Sequence, residues 1–151
     1  MAHIHERIDY TVDVFVVHND KVLIRKHEKY HKWFAVGGHI ELDEDPNEAA
    51  IREVKEEVNL DIRLIDTRMF REERPNQREL IAPMGLNRHR ISDTHEHIAM
   101  FYAAVSDSND VVPENPNDEW VWCKEEEIES LPDILPEIVF YAKRALQLAR
   151  Q

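Results

Sequence analysis

The segment 44–60 carries helix signals at both ends and so places one element of the fold along the chain. Asp45 is a favoured N-cap residue, Pro46 suits the first helical position, and Glu48 stands where a capping-box acid belongs. The apolar residues of the segment recur at helical spacing and form one stripe: Ala50, Ile51, Val54 and Val58. The sequence therefore predicts an amphipathic helix that packs this stripe against a core.

Three acidic residues, Glu53, Glu56 and Glu57, form an arc beside the apolar stripe, and we name them the glutamate cluster. Like charges three or four positions apart repel by roughly 0.2–0.5 kcal/mol per pair. Lys55 points away from the arc, so no basic residue is expected between these carboxylates. A hard divalent cation is the natural counter-charge, because Mg²⁺ prefers oxygen ligands and is often shared between carboxylates and substrate phosphates. The alternative is a solvated acidic face, which is the commoner reason for such clustering.

Segments rich in β-branched and aromatic residues predict strands on both sides of this helix. They lie within 9–30, where a turn at Asn19-Asp20 separates two strands, and in 61–73, 97–106 and 119–124. Residues 73–96 form a long polar connection with a short strand at Leu80-Ile81, and a second amphipathic helix starts near Pro136. This order predicts an α/β fold in one domain, residues 1–151, with a mixed sheet between helices.

Composition excludes several classes of protein. The formal net charge of −12 over 151 residues argues against a binder of duplex nucleic acid, which needs a basic surface. Cys123 is the single cysteine, so no intrachain disulfide forms, and a reducing compartment is expected. No segment has the length and apolar character of a signal peptide or a membrane span. We therefore expect a cytoplasmic protein that does not bind membranes.

The residues around the predicted helix resemble the Nudix hydrolase family, whose motif is G-x5-E-x7-R-E-U-x-E-E-x-G-U, with U an aliphatic residue. The matching positions are Gly38, Glu44, Arg52, Glu53, Val54, Glu56, Glu57 and Leu60, preceded by a W-x-x-x-GG stretch from Trp33. The segment 119–132 also resembles the late strand and short helix of the family. Asn59 replaces the family glycine that ends the helix in a left-handed conformation, and Asn tolerates that conformation next best. Val36 replaces a common proline, which removes no chemical group.

This resemblance implies a Nudix fold and hydrolysis of a nucleoside diphosphate linked to another moiety, with Mg²⁺ or Mn²⁺ as cofactor. It implies Glu53 and Glu57 as principal metal ligands, with Glu56 and the Gly38 carbonyl as further ligands. Arg52 is expected to orient a glutamate, and Glu44 to stabilise the loop and the helix start rather than to bind metal. Nucleoside triphosphates, nucleotide sugars, ADP-ribose and dinucleoside polyphosphates all remain open as substrates.

The general base is not identified by the motif. We favour Glu56, within the glutamate cluster. A later acid is the alternative, and the candidates by position are Glu96, Asp107, Glu114 and Glu119.

The most basic stretch of the chain, 25–33, precedes the motif. Against an acidic background it is expected to attract anionic substrate through Arg25, Lys26, Lys29 and Lys32. Residues 87–90 (NRHR) are a weaker candidate for a mobile phosphate-binding loop. His95 and His97 share a strand face, but a zinc site needs at least one more ligand, which the sequence does not nominate.

Three functions are compatible with the fold expected here: a metal-dependent pyrophosphohydrolase, a ligand-sensing module of the same fold without turnover, and a purely structural acidic domain. Sensing predicts loss of motif glutamates, which are all present, and a structural domain has no use for the two glycines. The expected partner is a small nucleotide-type molecule, and a homodimer is left open.

Overall fold

The structure, a computed structural model, describes residues 6–151. Its elements in chain order are β1 (Ile8–His18), β2 (Lys21–Lys26), β3 (Trp33–Phe34), β4 (Val36–His39), α1 (Pro46–Val58), β5 (Ile62–Leu64), β6 (Gly85–Ser92), β7 (His95–Ser106), β8 (Glu119–Cys123), α2 (Glu125–Ile128) and α3 (Pro136–Ala149). None of the helices within 6–151 is long and apolar enough to span a membrane.

β1 and β7 form the centre of one mixed sheet. They pair in parallel from Ile8 opposite Glu96 to Val17 opposite Val105, whereas the other strand pairs are antiparallel. β1 and β2 pair only next to their turn, and beyond it β4 pairs with β1 while β3 pairs with β2. β8 adds to the other side of β2, and β5 and β6 pair with different parts of β7. The motif glycines thus enter the sheet next to its central strand.

Two layers of apolar side chains separate the sheet from its helices. Along β1, alternate residues point to opposite faces, as the pleat requires. Val12, Val14 and Val16 belong to the core cluster under α1, whereas Phe15 and Val17 belong to the cluster under α3. The sheet is therefore covered by helices on both faces, which confirms the predicted α/β class with a mixed sheet between helices.

The local signals for turns and helix ends are confirmed. Asn19 and Asp20 both have positive φ, as a tight hairpin turn requires. Asp45 caps α1, Glu48 completes the capping box, and Asn59 ends the helix with φ 57° and ψ 35°, in the left-handed region. α3 begins at Pro136 as expected, and α2 follows β8.

The strand predictions between α1 and β7 are wrong in part. Of the predicted strand 61–73 only Ile62–Leu64 forms, and Asp66 instead binds the guanidinium groups of Arg68 and Arg71 in a loop. Leu80-Ile81 is not a strand. Residues 87–90, expected in a mobile loop, belong to β6, which pairs with β7. The residues of β6 are mostly exposed and polar, so the hydrophobic pattern that marks buried strands is missing there. β3 and β4 were not predicted, because each is short and β4 contains both glycines.

Candidate active site

Gly37 and Gly38 allow two close backbone contacts. A Cβ atom on Gly38 would lie 2.3 Å from Cδ of Glu53, and one on Gly37 would lie 2.2 Å from the carbonyl oxygen of Val12. Neither glycine has a positive φ. The missing side chains therefore serve close packing, and the Gly38 backbone lies directly against a buried carboxylate.

Arg52 connects several acidic residues around the start of α1. Its Nε donates to Glu44 Oε2 at 2.9 Å and its Nη2 donates to Glu44 Oε1 at 2.7 Å. Nη2 also donates to the carbonyl of His39 at 2.9 Å. Nη1 donates to Glu53 at 3.1 Å and to Glu56 at 3.0 Å. One guanidinium group thus holds two members of the glutamate cluster in place, in the kind of charge-assisted contacts that fix geometry.

Glu44 is engaged in the loop before the helix. Besides Arg52 it accepts the backbone N–H of Glu41 at 3.0 Å. The Arg52 guanidinium lowers the pKa of the Glu44 carboxyl. These contacts agree with the expectation that Glu44 stabilises the loop and the helix start.

Glu57 lies beside a cation from another element. Its Oε2 is 3.0 Å from Nη1 of Arg25, which also contacts Asp118 at 3.4 Å. The backbone N–H of Gly37 donates a hydrogen bond to the Glu57 carboxylate. The expectation that no basic residue lies among these carboxylates is therefore wrong. Lys55 does point away, toward Asp61, but the helical spacing could not reveal an arginine that arrives from β2.

Burial makes both inner glutamates weaker acids than usual. Desolvation raises the pKa of Glu53 to about 7, against the opposing effect of Arg52. Desolvation likewise raises the pKa of Glu57 to about 8, although Arg25 lowers it. Near neutral pH these carboxyl groups are therefore close to the point of losing their protons, and a nearby positive charge would complete that loss.

The donor set fits a hard divalent cation. Glu57 Oε2 is buried and receives no hydrogen bond from residues 6–151, although the Arg25 guanidinium is near. Glu53 is only 3% exposed and touches the Gly38 backbone. Buried carboxylate oxygens beside a backbone segment are the ligand type that Mg²⁺ and Mn²⁺ prefer.

Among the later acids considered as general base, Glu114 is the one whose backbone contacts α1 beside the glutamate cluster. Its backbone N–H donates to the carbonyl of Glu57 at 2.8 Å, and that of Val112 donates to Val58 at 3.0 Å. The loop after β7 therefore follows the C-terminal end of α1. The charge of Glu114 contributes to the raised pKa of Glu57.

The other three later acids lie elsewhere in the fold. Glu96 binds the guanidinium of Arg88, with Nε to Oε2 at 2.6 Å. Asp107 binds Arg63 at 3.1 Å. Glu119, at the start of β8, pairs in register with Lys26.

The structure does not gather the basic stretch into one exposed patch. Arg25 lies in β2 with its side chain 15% exposed and turned to Glu57. Lys26 ends the same strand, its Nζ lying 5.7 Å from the ring centroid of Trp33. Lys29 and Lys32 are exposed in the following connection. Lys29 and Lys32 are therefore the two of these four residues that are fully exposed to solvent.

Two aspartates near the site were missed by the sequence analysis. Asp118, 4% exposed in its side chain, contacts Arg25 and accepts the N–H of Glu28 at 2.9 Å. Asp13 pairs in register with Gly37, and burial raises its pKa to about 7. Neither has a local sequence signal, because each gains its neighbours only through strand pairing.

His95 and His97 gain a third neighbour that the sequence did not nominate. Asp9, on β1, brings a carboxylate oxygen into a group whose ligand atoms all lie within 4.8 Å of one another. Burial, and then the neighbouring imidazoles, lower the pKa of His97 to about 4. We name Asp9, His95 and His97 the histidine site.

Comparison with known proteins identifies the family. The family model of the NUDIX domain matches residues 8–143. The structure of a Nudix-family hydrolase from Clostridium perfringens is 33% identical, covers 93% of this chain and 97% of its own, and superposes with a TM-score of 0.80. A comparison with curated proteins gave no significant match.

More distant structures share the fold. An Ap4A hydrolase from C. elegans, solved as a binary complex, is 18% identical over 95% of this chain and 99% of its own, with a TM-score of 0.66. A MutT Nudix hydrolase from Burkholderia pseudomallei is 14% identical over 95% and 98%, with a TM-score of 0.65. The glycine–glutamate contact, the sheet between helices and the family model agree, and the chain belongs to the Nudix hydrolase family.

Proposed function

We propose that this hydrolase cleaves the pyrophosphate bond of a nucleoside diphosphate linked to another moiety, with Mg²⁺ or Mn²⁺ as cofactor. Nudix hydrolases generally act on pyrophosphate bonds. The observation that carries the proposal is the buried pair Glu53 and Glu57 held against the glycine strand, with one carboxylate oxygen that receives no hydrogen bond from residues 6–151.

Glu53, Glu57 and the carbonyl of Gly38 would hold the cation, with Glu56 as a further ligand. When bound, the cation neutralises charge on the phosphate oxygens and helps to make water nucleophilic. Because Glu53 and Glu57 have raised pKa values, binding of the cation would release protons from these two carboxyl groups.

Arg52 positions the cluster and does not itself need to touch substrate. Its contacts to Glu53 and Glu56 set the direction of both carboxylates while Glu44 anchors the guanidinium from the other side. Positioning of this kind matters for catalysis, because small displacements of reacting groups lower rates steeply.

Two residues are proposed as the general base. Glu56 is half exposed and held by Arg52, so it can reach water at the mouth of the site. Glu114 is supported by its position beside Glu57, whereas the other later acids are held by arginines or lie along β8. Comparing the pH–rate profiles of Glu56→Gln and Glu114→Gln separates the two, since loss of the base removes the acid limb of the profile.

A ligand-sensing module without turnover is the second candidate. The presence of every motif glutamate favours the enzyme. On the strength of its single cysteine we further propose that it works in the cytoplasm.

The test is a turnover screen with nucleoside triphosphates, nucleotide sugars, ADP-ribose and dinucleoside polyphosphates, in Mg²⁺ and in Mn²⁺, with products identified by mass. Glu57→Gln should lower the activity that is found by about 10²–10³-fold. Glu126→Gln, an exposed glutamate of α2, is the matched control and should retain it. Tight binding of one of these compounds without products would support the sensing module instead.

A further inference from the structure

The histidine site lies outside the glutamate cluster and is built from two neighbouring strands. Asp9 belongs to β1, and His95 and His97 belong to β7. Asp9 is 2% exposed and His95 7% exposed, while His97 is half-buried. Two imidazoles and a carboxylate thus meet at a largely buried place.

The strand register explains why these side chains meet. Asp9 lies opposite His97 in the parallel pair, and His95 is two positions earlier on the same strand, so all three share one face of the sheet. His39 lies opposite Thr11, two positions from Asp9, and therefore shares that face as well.

This face is the one that carries Phe15 and Val17 and packs under α3. Helix α1 and the buried Glu53 lie on the opposite face. The histidine site and the glutamate cluster are therefore separated by the sheet itself.

The distances show convergence on one carboxylate. Nε2 of His95 is 2.9 Å from Oδ2 of Asp9, and Nε2 of His39 is 3.5 Å from the same oxygen. The ring centroid of His97 is 5.4 Å from that of His95 and 5.0 Å from that of His39. A hydrogen bond between one aspartate and one histidine accounts for two of these side chains. The imidazoles of His97 and His39 lie beside this pair, so the nitrogen and oxygen donors of neighbouring strands are gathered in one place.

The chemistry of this donor set differs from that of the glutamate cluster. Imidazole nitrogens suit Zn²⁺ and its first-row neighbours, whereas Mg²⁺ takes oxygen ligands and retains water. Three protein ligands drawn from histidine and a carboxylate, with a fourth position beside them, are a recurrent zinc arrangement.

We propose that Asp9, His95 and His97 bind a transition-metal ion of the Zn²⁺ class, with His39 as a further ligand. The ion would tie the start of β1 to β7 across the centre of the sheet. Its role is then to stabilise the fold, independently of the cation at the glutamate cluster.

Metal titration of the metal-free protein tests the proposal. The Glu57→Gln variant serves as the background, because loss of this ligand weakens competition from the glutamate cluster. Zn²⁺ is followed by calorimetry, and Co²⁺ by the visible absorption of its four-coordinate complexes. We expect one equivalent of Zn²⁺ to bind and to raise the Tm, and Mg²⁺ to do neither.

Loss of a ligand should weaken Zn²⁺ binding by at least about 10–100-fold, the effect that even an outer-shell partner has at metal sites. Asp9→Asn and His97→Gln are the two ligand variants. Because His97 is only half-buried, His97→Gln should disturb the fold less than Asp9→Asn. His31→Asn is the matched control, because His31 is exposed at positive φ and Asn tolerates that conformation. It should bind Zn²⁺ as the background protein does.

Two results would overturn the proposal. Equal Zn²⁺ affinity in the background protein and in a folded His97→Gln variant, judged by circular dichroism, would place the ion elsewhere. Absence of Zn²⁺ and Co²⁺ binding to the background protein would leave a hydrogen-bonded cluster as the whole role of these residues.

Discussion

Arg25 and Arg52 face the glutamate cluster from two sides and explain how carboxylates this close coexist. Arg52 lies on the helix and binds Glu53 and Glu56, whereas Arg25 arrives from β2 and meets Glu57. Neither arginine cancels the cost of burial, since the pKa values of both inner glutamates stay raised. Burial thus still disfavours the charged form of both glutamates, and a bound cation would favour it.

Removing one inner carboxylate should destroy activity without harming the fold. Glu53→Gln and Glu57→Gln keep the shape of the side chain but lose its charge, and we expect turnover to fall about 10²–10³-fold, as when one electrostatic contact to a transition state is lost. Steady-state rates on a confirmed substrate and unfolding curves measure the two effects. Near-normal rates in both variants would show that the metal ligands lie elsewhere.

The raised pKa values also predict how stability depends on pH. Between the ordinary value of 4.5 and about pH 8, the folded protein holds protons on Glu53 and Glu57 that the unfolded chain has lost. The contribution of these groups to stability is thus fully present below about pH 4.5 and is lost as pH rises through 7 to 8. The Tm of metal-free wild type should fall more than that of Glu57→Gln from pH 5.5 to 8.5.

The comparison with Glu57→Gln is needed because the titration of His97 changes stability with pH in the opposite direction. Its pKa is lowered to about 4, so its contribution rises with pH up to the ordinary histidine value of 6.5. That contribution is common to both proteins and cancels in the difference. Parallel Tm curves for the two proteins would contradict the prediction.

Most of what could be predicted from the sequence concerns helix α1. Its caps, its apolar stripe and its left-handed end are local features, and each formed as expected because neighbouring residues decide them. Strand β6 shows the limit of such reasoning, since an exposed edge strand needs only a partner and carries little pattern of its own. The contacts of Arg25, Asp118 and Asp9 depend on strand register, which no single segment encodes.

The end of α1 offers a test of one such local feature. Asn59→Gly should be neutral or slightly stabilising, because glycine adopts the observed φ of 57° without strain. Asn59→Val should cost about 1–2 kcal/mol of unfolding free energy, since a β-branched residue resists a left-handed conformation. Denaturant unfolding of both variants gives the comparison. Equal stabilities would mean that the helix can end in another way.

The protein as a whole is strongly anionic, with a net charge of −12, while its proposed substrate is anionic too. The lysines before the motif are the local exception, and a positive field there raises the rate of encounter with a polyphosphate. We expect the Lys26→Gln, Lys29→Gln, Lys32→Gln triple variant to lose up to about tenfold in kcat/KM at low salt. The loss should shrink at high salt, because exposed charges are screened beyond about 8–10 Å at ordinary ionic strength.

The control is Lys124→Gln, an exposed lysine outside this stretch, which should change neither constant. The kcat of the triple variant should also stay near that of wild type, since no lysine is assigned to the chemistry. A fall confined to kcat, or a loss that salt does not alter, would count against steering.

The parallel pairing of β1 with β7 also decides when the protein can fold during its synthesis. Asp9 and His95 are 86 positions apart in the chain, yet they meet at the centre of the sheet. Contacts between such distant positions form slowly, because a long loop must close before they are gained. Helix α1 leaves the ribosome well before β7 does. Until β7 has followed, the sheet against which the apolar stripe of α1 packs is incomplete. The nascent chain therefore passes through a stage in which its motif is complete and its active site is not.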